Sequence, residues 1–405
     1  MKNNINKLFN LQGLLTGKIE FSKDDKQVIL NARNPRTFSQ CPYCLKSTKK
    51  VHQINSRLVK HGISDFRIIV LNLRVRRFKC GHCQKVFTES FSGIDRRRTT
   101  VNFRLQLLEW LKRNSFRYIG QRFNISPSTL VRYLLEMNGD IEIDWDNIDV
   151  TKLGVDEHSF RGKRMIITIT DLSNKKLLAI LKGDSQFVLE EFINRIPPKN
   201  RAKIDETCTD LRSSFRPVLE RCLPNAILTA DRFHVESLFR RALDEIRSVV
   251  QDEGVGRKMN MKKILWANKD TLDEYELKRL ELIFKKYRKY PVLKQAWIVK
   301  EQIIHMYRAH SYEEAEKRFN HIMMLLETPE YSRYLATLKR TFKKWKEPIL
   351  NYFINKTTNG FTEGCHTKIK MIKRVSYGFR NINNYIAKMT LAFLPLSFLI
   401  SYHTV

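Results

Sequence analysis

The sequence predicts a multidomain α+β protein: a small β-rich module built around cysteines, a short helical bundle, and an α/β core interrupted by an all-helical insertion. Three observations predict it. Two Cys-x-x-Cys pairs lie within strand-like sequence over 36–98, behind a polar N-terminal segment, 1–35, with little pattern. Short capped helices follow over 99–145. Strand and helix patterns then alternate over 150–235, ahead of a stretch, 236–355, with apolar residues at helical spacing. The chain's 405 residues are enough for several domains with real cores.

Charge narrows the function. Lys and Arg number 74 against 42 Asp and Glu, a formal charge of +32. A charge of that size repels itself, so a polyanionic partner is expected, and the interleaved Phe and Tyr suit nucleic acid. A hydrophobic content of 42% excludes a disordered chain. Residues 1–17 lack the apolar run of a secretory signal. The strongly apolar run at 391–400 is too short to span a bilayer, contains Pro395, and reads as a buried C-terminal segment. The expected location is the cytoplasm, on the nucleoid when DNA is bound, with no membrane partner.

Cys41-Pro-Tyr-Cys44 and Cys80-Gly-His-Cys83 each offer two thiolates from one tight turn. Four soft ligands in two knuckles suit structural Zn²⁺ in a ribbon-like module, and the long spacer predicts an inserted β excursion. Gly81 is expected to allow the bend of its knuckle. Arg74, Arg76, Arg77 and Lys79 give the module cations for phosphate.

Helices are expected over 103–112 and 115–123, then a turn at 124–126. Ser126 caps a third helix that has Pro127 at its first position. That is the helix-turn-helix pattern, with Ser128, Thr129 and Arg132 facing DNA and Ile119, Phe123, Leu130 and Leu134 in the core.

The core reads as three antiparallel strands over 154–157, 165–171 and 177–181, then a helix over 185–196. A strand over 203–210, a helix over 215–222 and a strand over 226–231 follow. This is the ribonuclease-H-like order, in which the first and fourth strands are neighbours. Asp156 and Asp210 would then lie side by side. Adding a third carboxylate gives the hard-oxygen cluster that two divalent ions about 4 Å apart need for phosphodiester chemistry.

With these motifs in view the chain resembles the ISL-three family of insertion-sequence transposases, which carry a DDE catalytic domain. The resemblance covers nearly the whole chain. It is strongest at Gly154-Val-Asp156-Glu157, at Pro224-Asn225-Ala226 leading to Asp231-Arg-Phe-His234, and at Asn359-Gly-Phe-Thr-Glu363-Gly364. The last block runs on through Lys368-Ile-Lys370-Met-Ile-Lys373-Arg374 to Tyr377-Gly378-Phe379-Arg380-Asn381. The resemblance implies Asp156 as first carboxylate and Glu363 as third, with the last part of the core and a C-terminal segment in 356–405. For the second, strand adjacency favours Asp210, while Asp231 fits an Asp-x-x-His signature. Asp231 and His234 would then be accessory, His234 orienting substrate or moving protons. Helical spacing sets Glu363, Thr367, Lys370 and Arg374 on one face, and Lys370, Lys373 and Arg374 are read as DNA-binding.

The implied activity is a DNA transposase that binds terminal inverted repeats and performs metal-dependent cleavage and strand transfer with Mg²⁺ or Mn²⁺. Joining two ends implies a homodimer or larger synaptic assembly on double-stranded DNA. The residues leave two alternatives open: an inactive DNA-binding regulator derived from a transposase, and a structure-specific metal-dependent nuclease.

Overall fold

The computed structural model describes residues 6, 9, 11, 13–91, 94, 97–138, 143–253, 260–327 and 332–395. These form two compact units, one of residues 1–141 with 369–405 and one of residues 142–368.

The first unit begins with strands β1 (Leu15–Phe21), β2 (Gln27–Arg33), β3 (Ser39–Gln40), β4 (Ser47–Thr48), β5 (Val51–Ser64), β6 (Arg67–Lys79) and β7 (Val86–Thr88). The main sheet has the order β1-β2-β6-β5, with β7 added to β6, while β3 and β4 pair separately. β5 and β6 form a long antiparallel hairpin closed by Asp65 and Phe66, both at positive φ (46° and 60°), the geometry of a tight hairpin turn. This hairpin is the excursion between the knuckles. Residues 1–35 depart from the expected patternless segment, because β1 and β2 both lie within them. β1 is exposed at every position but one, and its apolar residues Leu15, Ile19 and Phe21 are themselves exposed, so no alternation between a buried apolar and an exposed polar face marks it.

Helices α1 (Val101–Leu111), α2 (Phe116–Phe123) and α3 (Pro127–Asn138) follow. Thr100, Ser115 and Ser126 cap them, accepting the backbone N–H of Phe103, Tyr118 and Thr129 at 3.2, 3.1 and 3.2 Å. Asn124 closes α2 in the left-handed conformation at φ 47°. Ile119, Phe123, Leu130 and Leu134 are all buried in the core of this bundle. Gly120 has a steric reason: a Cβ there would meet the carbonyl oxygen of Ile125 at 2.6 Å.

The last helix, α15 (Ile382–Phe393), belongs to the same core through Ala387 and Leu391. The C-terminal segment expected within 356–405 thus includes α15, which lies outside the α/β core. The apolar seam of α15 packs on the α1–α3 bundle. Of the apolar run at 391–400, Leu391 is buried, and residues 396–400 lie outside the described residues.

The second unit holds strands β8 (Lys152–Arg161), β9 (Arg164–Asp171), β10 (Lys176–Leu181), β11 (Glu206–Thr209) and β12 (Ile227–Ala230). Helices α4 (Gln186–Arg195), α5 (Pro198–Arg201) and α6 (Arg216–Cys222) connect them. The sheet order is β10-β9-β8-β11-β12. β8, β9 and β10 are antiparallel neighbours, and β8, β11 and β12 run parallel.

Helices α7 (Arg232–Glu253), α8 (Lys262–Trp266), α9 (Glu274–Lys286), α10 (Pro291–Met306), α11 (Tyr312–Leu326), α12 (Ser332–Lys344) and α13 (Lys346–Asn355) form the insertion. Its apolar faces share one hydrophobic core with the sheet, in which Trp297 and Trp345 are buried. Helix α14 (Gly360–Val375) returns the chain to the sheet. Among the described residues no helix is long and apolar enough to cross a membrane.

Candidate active site and metal centres

Strand register builds the site. Thr209 on β11 is paired with Val155 on β8 and with Ala230 on β12. The next residue of each chain segment is Asp210, Asp156 and Asp231. Three carboxylates thus stand in a row across three adjacent parallel strands: Asp210 and Asp231 directly after the C-terminal ends of β11 and β12, and Asp156 within the longer β8, level with them.

Helix α14 supplies the fourth carboxylate, Glu363, from its first turn. Its docking explains two of the motif blocks. The backbone N–H of Asn359 donates to Asp231 Oδ1 at 2.8 Å, and the Asn359 side-chain amide donates to the Val155 carbonyl at 3.2 Å. Thr362 donates to Asn359 Oδ1 at 2.5 Å and lies 2.6 Å from the Thr170 hydroxyl. Gly154 leaves room for this approach: a Cβ there would stand 2.4 Å from Thr170 Oγ1, 2.6 Å from Asn359 Oδ1 and 2.8 Å from Thr362 Oγ1. Fully buried Glu206 anchors the segment just before α14, accepting from Thr357 at 2.6 Å and Lys152 at 2.8 Å.

His234 sits in the first turn of α7. Its Nδ1 is 3.0 Å from Asp231 Oδ2 and 4.0 Å from Glu363 Oε1, and its backbone N–H donates to the same Asp231 oxygen at 3.3 Å. Burial alone would lower the His234 pKa. The hydrogen bond to Asp231 and the charges of Asp156, Asp231 and Asp210 outweigh it and raise the value. Asp156 is pushed up to about 7, first by burial and then by the like charges of Asp210, Asp231 and Glu363, against the attraction of His234. Burial also raises Asp210, opposed by the Arg212 N–H it accepts at 3.0 Å. The Arg212 guanidinium pairs with Glu157 and Asp184.

Ligand atoms of Asp231, His234 and Glu363 all lie within 4.8 Å of one another, a group able to hold a metal ion. A cleft of about 310 Å³ opens on Asp231 and Glu363, lined also by Arg232, Phe233 and Thr358.

Sequence reasoning missed His366. It is buried on α14, with Nδ1 3.5 Å from Asp156 Oδ2 and Nε2 2.9 Å from the Thr168 hydroxyl. That hydroxyl also meets His158 Nδ1 at 2.9 Å. The signal was present, since residues three apart on a helix share a face and His366 follows Glu363 by three.

The second candidate centre is the cysteine cluster. Cys41 Sγ lies 3.6 Å from Cys83 Sγ and Cys44 Sγ 3.5 Å from Cys80 Sγ, with all four within 4.8 Å. Tetrahedral zinc with Zn–S near ~2.3 Å would set sulfurs about 3.8 Å apart. The N–H groups of Cys83 and His82 pull Cys80 down to about 6. Cys83, although the Lys85 N–H favours its thiolate, is pushed up to about 11 by burial and the neighbouring thiols. The four sulfurs form a group able to hold a metal ion. The two knuckles share one geometry, in which the left-handed residues are Leu45 (φ 61°) and Gln84 (φ 62°). The expected role of Gly81 is corrected: it has no positive φ and open space around it, because the bend falls after the second cysteine.

Of the residues read as DNA-binding, Ser128 and Arg132 are exposed on α3, with Arg132 4.0 Å from Glu136, and Thr129 is half-buried with its hydroxyl 2.8 Å from Ser126 Oγ. On α14, Lys370 and Arg374 are exposed and Lys373 is half-buried.

The ISL3-type transposase family model DDE_Tnp_ISL3 matches residues 153–389. The chain is similar to the transposase for insertion sequence element IS1001 of Bordetella parapertussis, 23% identical over 398 residues that cover 94% of this chain and 96% of that relative. It is similar also to the transposase for insertion sequence element IS1557 of Mycobacterium tuberculosis, 26% identical over 280 residues, 62% of this chain and 61% of that relative.

Proposed function

The chain belongs to the ISL3 family of transposases, and from that premise we propose that it binds the terminal inverted repeats of its element and cuts and rejoins DNA by phosphoryl transfer at Asp156, Asp210 and Glu363. The observation that carries this reading is the register of β8 with its parallel neighbour β11, which sets Asp156, within β8, level with Asp210, just past the end of β11. The sheet order supports a ribonuclease-H-like core.

The donor set fits divalent metal. Hard carboxylate oxygens crowd a buried edge, and burial with mutual repulsion drives the Asp156 pKa upward, the condition a cation relieves. Mg²⁺ or Mn²⁺, when bound by Asp156, Asp210 and Glu363, supplies Lewis acidity for phosphodiester chemistry. The chain's own groups do the positioning. Asp231 commits one oxygen to the Asn359 N–H and the other to His234, so it clamps the start of α14 to the end of β12. That favours Asp210 as second ligand and Asp231 as the residue that places Glu363. His234, its pKa raised by the carboxylates around it, is suited to orient a phosphate or pass a proton. A second reading, Asp231 as ligand, is favoured by its closeness to His234 and Glu363.

The cysteine cluster is assigned to structural Zn²⁺. The capped α2–turn–α3 unit supports a helix-turn-helix that reads DNA through Ser128, Thr129 and Arg132, while Lys370, Lys373 and Arg374 on α14 contact backbone. Two ends must be joined, so the working form is a dimer or larger synaptic assembly, acting in the cytoplasm.

The test is cleavage and joining of labelled DNA carrying the element's ends, with Mn²⁺. Wild type is expected to give nicked and joined products, and Asp156→Ala, Asp210→Ala and Glu363→Ala to bind without cutting. Binding by wild type without cleavage under any divalent metal sinks the enzyme reading in favour of a regulator. Cleavage without joined product leaves a nuclease.

A further inference from the structure

The outer face of the N-terminal sheet holds an arrangement that the catalytic reading leaves unused. β2 and β6 pair in parallel, with Asn31 opposite Asn72 and Arg33 opposite Arg74. The two asparagine side chains hydrogen-bond across the strands at 2.8 Å, so residues at these register positions share one face. Ser56 on β5 faces Arg74 and bonds Asn72. The result is a groove of about 680 Å³ with Leu15 and Ile54 as apolar walls and Arg33 and Arg74 as cations.

Both arginines are exposed, and among the described residues neither has an acidic partner. Like charges directly opposed on a sheet oppose folding. The neighbouring Arg76 shows what a structural arginine does here, since it pairs with the buried Glu89 at 2.7 Å. Arg33 and Arg74 have no such neutralisation, so an outside anion is the natural complement.

We infer that this groove is a contact site for the DNA phosphate backbone, with Arg33 and Arg74 straddling successive phosphates. The inference rests on the reading that the chain binds DNA. Among the described residues no aromatic side chain lines the groove, which argues against a base-stacking platform for single strands. The asparagine amides are engaged with each other and with Ser56, which leaves little for base-edge recognition. The contact is therefore independent of sequence, adding affinity and orientation to an end-specific reader elsewhere in the chain.

The experiment measures full-length protein binding to end DNA and to scrambled DNA across a salt series, alongside thermal unfolding without DNA. Arg33→Gln/Arg74→Gln is expected to weaken both DNAs by the same factor, roughly tenfold, and to flatten the log–log salt slope by about 2. Its DNA-free Tm is expected to rise, and Arg33→Lys/Arg74→Lys to keep the wild-type slope. If the double variant does not fold, Arg33→Gln alone reads the same effect as a slope change of about 1. An unchanged slope in a folded variant, or a loss confined to end DNA, overturns the inference. A wild type that binds neither DNA overturns the proposed function instead.

Discussion

In the metal-free protein Asp156 keeps its proton up to about pH 7, where an exposed aspartate loses it near 3.8. An acid whose pKa is raised by folding contributes stability that is present below its unfolded value and lost as pH rises through the folded one. With chelator present, the melting temperature of wild type is therefore expected to fall from pH 5 to pH 8, and Asp156→Asn to flatten that decline. Equal slopes in calorimetry would contradict the crowding account. A second residue-scale prediction concerns Gly154, which faces Thr170, Asn359 and Thr362 at separations no Cβ tolerates. Gly154→Ala should cost about 1–3 kcal/mol and displace α14, so cleavage falls further than DNA binding does. Asp156, Asp210 and Glu363 could be picked out as candidates from the chain because a carboxylate beside an expected strand end or in a motif announces itself. His366, Asn359 and Thr362 were not assigned roles, because their work depends on a helix meeting a sheet two hundred residues away in sequence, as the Asn359–Val155 bond spans.

At the scale of elements, β8, β9, β10, β11 and β12 could be read from the chain because buried β-branched runs such as Ile166-Ile167-Thr168-Ile169 leave no alternative period. β1 and β2 escaped because burial does not alternate along them: β1 exposes Leu15, Ile19 and Phe21 beside Lys18 and Glu20, and β2 is half-buried over most of its length. The packing partner of α15 was not legible, because an apolar seam declares that a helix packs and does not say on what. The α2–α3 turn carries its own prediction. Gly120→Ala drives a methyl to 2.6 Å from a backbone oxygen, which cannot rotate away. It is expected to destabilise the bundle by about 1–3 kcal/mol and to erase the preference for end DNA over scrambled DNA in a binding assay. Retained preference at unchanged stability would remove this turn from DNA recognition.

For the whole molecule, a formal charge of +32 predicts DNA affinity that falls steeply with salt, and the proposed catalysis is assigned to a small acidic island. The two candidate metal centres lie in different compact units and should respond separately to metal removal. A strong zinc chelator, or Cys80→Ser, is expected to lower the unfolding temperature of the cysteine-bearing unit, while Mn²⁺ raises that of the unit bearing the carboxylates. A single melting transition indifferent to both treatments would refute this division. The measurement that tests the central claim most directly is Mn²⁺ titration by electron paramagnetic resonance, comparing wild type with Asp210→Asn, Asp231→Asn and Glu363→Asn. The account predicts that Asp210→Asn and Glu363→Asn each weaken Mn²⁺ binding at least tenfold, while Asp231→Asn retains the ion with a smaller loss. If Asp231→Asn abolishes binding and Asp210→Asn leaves it intact, the second ligand is Asp231 and the proposed carboxylate assignment is wrong.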